Sequence, residues 1–220
     1  MLITLVIIGV IAAITVPNII QSTNKQETIS GLKKAYSSFS QIANRAIADN
    51  GPIESWAIED ESNESNISFH KNYILPYLNV IKDCGYADDK GCNFKYKTFK
   101  GLRRDLNNRY RFILNDGTLI ASEIKVLERQ KYVRVYVDIN GEKGHNILGK
   151  DVFVFIYYIY TVDNKNFKGL FLPECALLSR DKILNDSWGC NRKSDTSDSG
   201  ICCAELIRRD GWQIKEDYPW

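Results

Sequence analysis

Met1-Leu-Ile-Thr-Leu-Val-Ile-Ile-Gly-Val-Ile-Ala-Ala-Ile-Thr-Val-Pro17 carries no charge, and the first charged side chain after it is Lys25. As a helix, about 20 residues at ~1.5 Å rise each cover ~30 Å, the depth of a bilayer's hydrocarbon core. The run therefore reads as a membrane segment or as the hydrophobic stem of an assembly. Helical spacing continues beyond it. Ile29, Leu32, Tyr36, Phe39, Ala43 and Ala46 recur at steps of three and four, with Lys33, Lys34, Ser37, Gln41 and Asn44 between them. One helix from the start to about Ala48 is the economical reading, apolar in its first half and amphipathic in its second. Asn50-Gly51-Pro52 ends it, because Gly suits a helix C-terminus and Pro cannot continue one.

Strand signals dominate from about residue 94 to residue 160. Phe94, Tyr96 and Thr98 alternate with lysines. Arg111-Phe-Ile-Leu-Asn-Asp-Gly-Thr-Leu-Ile-Ala121 reads as a hairpin turning on Asn115-Asp116-Gly117. Tyr132, Arg134, Tyr136 and Asp138 alternate with Val133, Val135, Val137 and Ile139, and Val152-Phe-Val-Phe-Ile-Tyr-Tyr-Ile-Tyr160 reads as a central strand. Consecutive strands with short turns predict an antiparallel sheet, and a sheet facing one long helix is an α+β domain. Residues 53–68, with Glu59, Asp60, Glu61 and Glu64, read as a solvated loop. Residues 69–82 read as a short helix broken at Pro76. Residues 185–200 read as a polar loop, with a short helix over 204–209 and an aromatic tail that closes the core. The expected organisation is a stem over 1–20, an amphipathic half-helix over 21–50 and a globular head over 51–220.

Six cysteines, Cys84, Cys92, Cys175, Cys190, Cys202 and Cys203, all lie beyond the helix. There is no CxxC pair, and His70 and His145 are the only histidines, so a zinc site has little support. An even count behind an apolar stem reads as disulfides formed in an oxidising compartment. Cys84 and Cys92 suit a short loop, and the other four suit a stapled C-terminal region. Spacing does not assign their pairing.

The apolar run with Gly9 and Pro17, extended through Asn18-Ile-Ile20, resembles the N-terminal helix of type IV pilins and of the pseudopilins of type II secretion systems. The likeness is close over about 20 residues and looser along the rest of the helix. It implies a leader, a cleavage Gly, a Phe and a Glu lying before Met1, with Gly9 and Pro17 as the residues that soften the stem. It implies assembly through Leu5, Ile8, Gly9, Val10 and Pro17 into a filament, and partners that are other pilin-like subunits, the membrane and an inner-membrane assembly machinery. The implied location is a single pass through a bacterial inner membrane, with the head in the periplasm or outside the cell. The resemblance also implies that a charge at Ile8 or Val10 blocks assembly. A membrane-anchored enzyme or ligand-binding domain is the alternative.

Chemistry-bearing motifs are few. Gly144-His-Asn-Ile-Leu-Gly149-Lys150-Asp151 mimics a phosphate loop, but Asp151 stands where a hydroxyl belongs and a strand, not a helix, comes next. The stretch is better read as a structured connection between strands. Its Asp138, Asn140, Glu142 and Asp151 offer oxygen ligands for Ca²⁺, the one cofactor considered, in a spacing that is not an EF-hand. Some pseudopilins bind Ca²⁺ in a loop after the sheet. His70 and His145 read as solvated side chains, and with no GxSxG elbow no catalytic residues are expected. A net charge of +2 from 29 basic and 27 acidic residues argues against a nucleic-acid surface.

Overall fold

The computed structural model describes residues 2–86, 91–144, 146–161 and 167–220, with side chains described from residue 13 on except at positions 14, 142 and 161. Helix α1 runs unbroken over Leu2–Asn50, through Pro17. It stops where expected, at Gly51, whose φ of +80° is the left-handed turn that Gly takes without steric penalty. Leu32, Ala35, Phe39, Ile42, Ala43 and Ala46 form its buried stripe. From Ala13 to Asn24 the described side chains are exposed. The first buried one is Thr28, so the helix outruns the head.

Among the described residues no helix is long and apolar enough to cross a membrane. This corrects the expectation of a transmembrane helix, and with it that of a single-pass inner-membrane location. From Ala13, where the described side chains begin, the apolar stretch ends at Ile20, and the helix continues Gln21-Ser-Thr-Asn-Lys-Gln-Glu27, groups that hydrocarbon would strand without partners.

The strands are β1 (Val80–Gly85), β2 (Lys95–Lys97), β3 (Arg103–Asp105), β4 (Tyr110–Leu114), β5 (Leu119–Leu127), β6 (Gln130–Asp138), β7 (Val152–Thr161) and β8 (Phe171–Pro173). Six make one antiparallel sheet in the order β1-β4-β5-β6-β7-β8, and β2 and β3 make a separate hairpin. The expected turn joins β4 to β5, with Phe112 opposite Ile120 and Gly117 at φ +88°. β7 is paired on both sides, and the short β8 forms the edge. Aromatics on these two strands meet α1: Phe155 lies 6.2 Å from Tyr36, and Phe171 of β8 lies 5.1 Å from Phe39. The α+β architecture with a long helix on an antiparallel sheet is therefore observed.

Three local expectations change. Residues 53–62 are not simply solvated, because Ile53, Trp56 and Ile58 are buried and Trp56 stacks on Tyr73 at 4.3 Å. Helix α2 (Asn63–Phe69) begins earlier than the spacing suggests, because Ser62 caps it by accepting from the Ser65 N–H at 3.1 Å. It continues as a wider turn over His70–Ile74 and a tight one over Leu75–Tyr77. The chain then extends into β1, which takes in Ile81, the last residue of the helical spacing.

All six cysteines are paired, as Cys84–Cys92, Cys175–Cys202 and Cys190–Cys203. The neighbours Cys202 and Cys203 thus tie two separate segments to the start of α4 (Cys203–Arg209). A further helix, α3 (Arg180–Asn185), leads into the 185–200 segment.

Candidate functional site

The connection from Asp138 to Asp151 is where helix, sheet and tail converge. α1 touches it twice: the Thr28 hydroxyl donates to the Lys150 carbonyl at 3.3 Å, and Ile139 packs so closely on Gly31 that a Cβ there would stand 3.2 Å from it. The β2 edge joins it through Lys97 N–H to the Asn146 carbonyl and Leu148 N–H to the Lys97 carbonyl, both 2.8 Å. The C-terminal tail closes over it. The Tyr218 hydroxyl donates to the Gly149 carbonyl, and the Trp220 ring lies 5.0 Å from Lys150 Nζ and 5.9 Å from Lys25 Nζ. Gly149, at φ +91°, leaves no room for a side chain, because a Cβ would stand 2.7 Å from Cys203 Sγ. That Gly leads into β7 and not into a helix, as the reading against a phosphate loop requires.

Inside this hub the polar groups are only partly satisfied. Asp138 is 0% exposed. Its Oδ1 accepts from the N–H groups of Asn140 at 3.3 Å and Gly141 at 3.1 Å, whereas Oδ2 has no hydrogen-bond partner among the described residues. Asn140 Nδ2 donates to Asp151 Oδ1 at 3.2 Å, and the Ile147 N–H donates to Asp151 Oδ2 at 3.2 Å. Asn140 Oδ1 and Asn146 Oδ1 are buried and have no partner among the described residues. Burial first, and the nearby Asp151 carboxylate second, lift the Asp138 carboxyl to about 7, against the pull of its two backbone donors.

Of the four proposed calcium ligands, Asp138, Asn140 and Asp151 therefore share one loop interior, and the side chain of Glu142 lies outside the described residues. Asn146, at φ +35°, lies in the same connection and has a buried amide oxygen, without any signal in the sequence, where an amide between His145 and Ile147 looks like an ordinary loop residue. No group of three or more His, Cys, Asp or Glu able to hold a metal ion occurs among the described residues. The side chains of Leu5, Ile8 and Val10 lie outside the described residues, and Gly9 and Pro17 are in unbroken helix.

His70 corrects its own reading. It is 1% exposed, not solvated. Its Nδ1–H donates to the Asn66 carbonyl at 2.6 Å, which leaves Nε2 to accept from the Ser122 hydroxyl. The ring stacks on Tyr110 at 4.3 Å, and burial lowers its pKa to about 4. Ser122 is equally buried, so the pair faces the core and not solvent. His145 lies outside the described residues.

No curated protein and no solved structure matches the chain. One family model does, over residues 18–220, and neither it nor the other comparisons links the chain to pilins. The match takes in the whole head, the loop at 138–151 and α1 from Asn18 on, and the chain belongs to that family, described as a family of unknown function (DUF6613).

Proposed function

We propose that this protein is a structural subunit that assembles into a filament through its N-terminal helix, as pilins do. One observation carries the reading: α1 outruns the head, and the overhang shows Val16, Ile19 and Ile20 at 50%, 63% and 54% exposure. Three apolar side chains at steps of three and four make a stripe that one copy leaves uncovered. Three disulfides support assembly in an oxidising compartment. The test is a V16D/I20D double variant of the full chain, examined by sedimentation and electron microscopy. Loss of assembled material with an unchanged circular dichroism spectrum is expected. Assembly at wild-type levels overturns the reading.

The loop at 138–151 favours a second role, as a seat for Ca²⁺ that stiffens the junction of helix, sheet and tail. Three buried oxygens without donors among the described residues, on Asp138, Asn140 and Asn146, support it. An acceptor without a donor is costly in a folded interior, and a hard cation satisfies acceptors alone. Calorimetry and thermal melting with Ca²⁺ test this on the wild type and on D138N. A shift in the first that disappears in the second is expected. No heat and no shift in the wild type removes the proposal.

A further inference from the structure

The two most exposed large apolar side chains among the described residues are Ile81, at 66%, and Ile19, at 63%. Ile81 belongs to a cleft of about 960 Å³ beside the base of the helix, with Ile113 and Ile139 also in its lining. One wall is α1 itself, through Asn24, Glu27 and Thr28. Ile19 belongs to the overhang. The two are kept apart within one molecule, because α1 is continuous through both regions. Ile19 stands ~8 Å further along the axis than Asn24, and a straight helix does not fold back on itself. Two turns of helix, ~11 Å long and 10–12 Å across with side chains, occupy roughly 1,000 Å³. That is close to the size of the cleft. The segment 16–24 has no charged residue, and its polar side chains would meet the polar part of the cleft's lining, which includes Glu27, Lys82, Asp116 and Lys150, while its isoleucines meet Ile81.

We infer that the cleft between α1 and the β1 side of the sheet receives the overhanging helix of a second copy, with Ile19 of one molecule set against Ile81 of the next. The contact joins two different surfaces and leaves a free cleft on one molecule and a free overhang on the other. Such contacts propagate into an open helical array where the rotation between neighbours does not close a ring. This inference rests on the reading of α1 as the assembly element and specifies what the helix enters.

The experiment uses two full-length variants, I19C and I81C, and a short bismaleimide cross-linker. Both positions are exposed, so the fold is expected to survive each change. The 19–81 cross-link, identified by mass spectrometry, is expected in the mixture at tenfold or more above either variant alone. Cross-linking of I19C with itself at that level overturns the cleft in favour of a symmetric helix pair. Assembly without any 19–81 product overturns the cleft and leaves the assembly reading standing. A wild-type chain that stays monomeric at high concentration removes both. As a second measure, I81D is expected to lower the sedimented fraction at least tenfold while I19C/I81C in one chain retains it. Wild-type sedimentation of I81D counts against the cleft.

Discussion

Two buried polar regions flank the same sheet and are completed in opposite ways. Around His70 each polar group whose contacts are described has found a protein partner. Asn66 alone donates to the Ser62 carbonyl at 2.9 Å, accepts from the Ile124 N–H at 2.9 Å and takes the His70 Nδ1–H on its own carbonyl. At the 138–151 loop three buried oxygens have none among the described residues. Interiors rarely tolerate unpaired acceptors, so a network that closes on itself reads as structural, and one left with surplus acceptors points outward to a ligand. The difference also separates chemistry from appearance. Ser122 and His70 look like a nucleophile and its base, yet their hydrogen bonds are spent on holding the end of α2 to β5. The less familiar set of Asp and Asn is the one with valence to spare.

The largest effect that would break this contrast is a pH effect at His70. Unfolded, the ring titrates near 6.5, and in the fold burial lowers it to about 4. Between those values the unfolded chain binds one proton more than the native state, so stability rises with pH there. The contribution is complete above pH 6.5 and is lost as pH falls to 4, by ~3 kcal/mol at most. Asp138, with its pKa raised to about 7, slopes the other way across the whole of that window. The informative quantity is therefore the difference between the protein and H70Q, measured by chemical denaturation at several pH values. Equal slopes in the two would mean that the ring is not held neutral, and the His70 network would lose its claim to be closed.

Asn66→Ala is the next largest. It leaves the Ile124 N–H buried with no acceptor and should cost about 2 kcal/mol, in the range for an orphaned buried donor. The measurement is the denaturation midpoint at constant m. A change under ~0.5 kcal/mol would show that Asn66 is no keystone.

How much of this is legible in the sequence depends on the range of each interaction. The buried stripe of α1, the Asn115-Asp116-Gly117 turn and the Cys203–Arg209 helix rest on local spacing and turn chemistry, and sequence and structure agree on them within a residue or two. β1 is hidden because Tyr77 and Ile81 happen to keep a helical step, while the pairing that makes a strand of Val80–Gly85 lies on β4, some thirty residues away. Trp56 is masked by acidic neighbours, since its burial depends on Tyr73 and Tyr157. His70 misleads for the same reason, as Ser122 is 52 residues distant. In the candidate loop Asp138, Asn140 and Asp151 stand out by residue type. Asn146 does not, because an amide oxygen becomes conspicuous only when its missing donor is visible.

That residue gives the smallest effect and the sharpest comparison. Asn146 Oδ1 accepts no hydrogen bond from the described residues, and the backbone at φ +35° is one that Gly adopts freely. In the presence of a chelator, Asn146→Gly should therefore leave stability within about 0.5 kcal/mol of wild type, where Asn66→Ala loses several times as much. Adding Ca²⁺ turns the same substitution into a test of the ligand. A wild-type gain in melting temperature that the variant largely lacks would assign the amide oxygen to the ion. If Asn146→Gly instead costs as much as Asn66→Ala with the chelator present, the oxygen already has a partner in solution, and the two regions are alike after all.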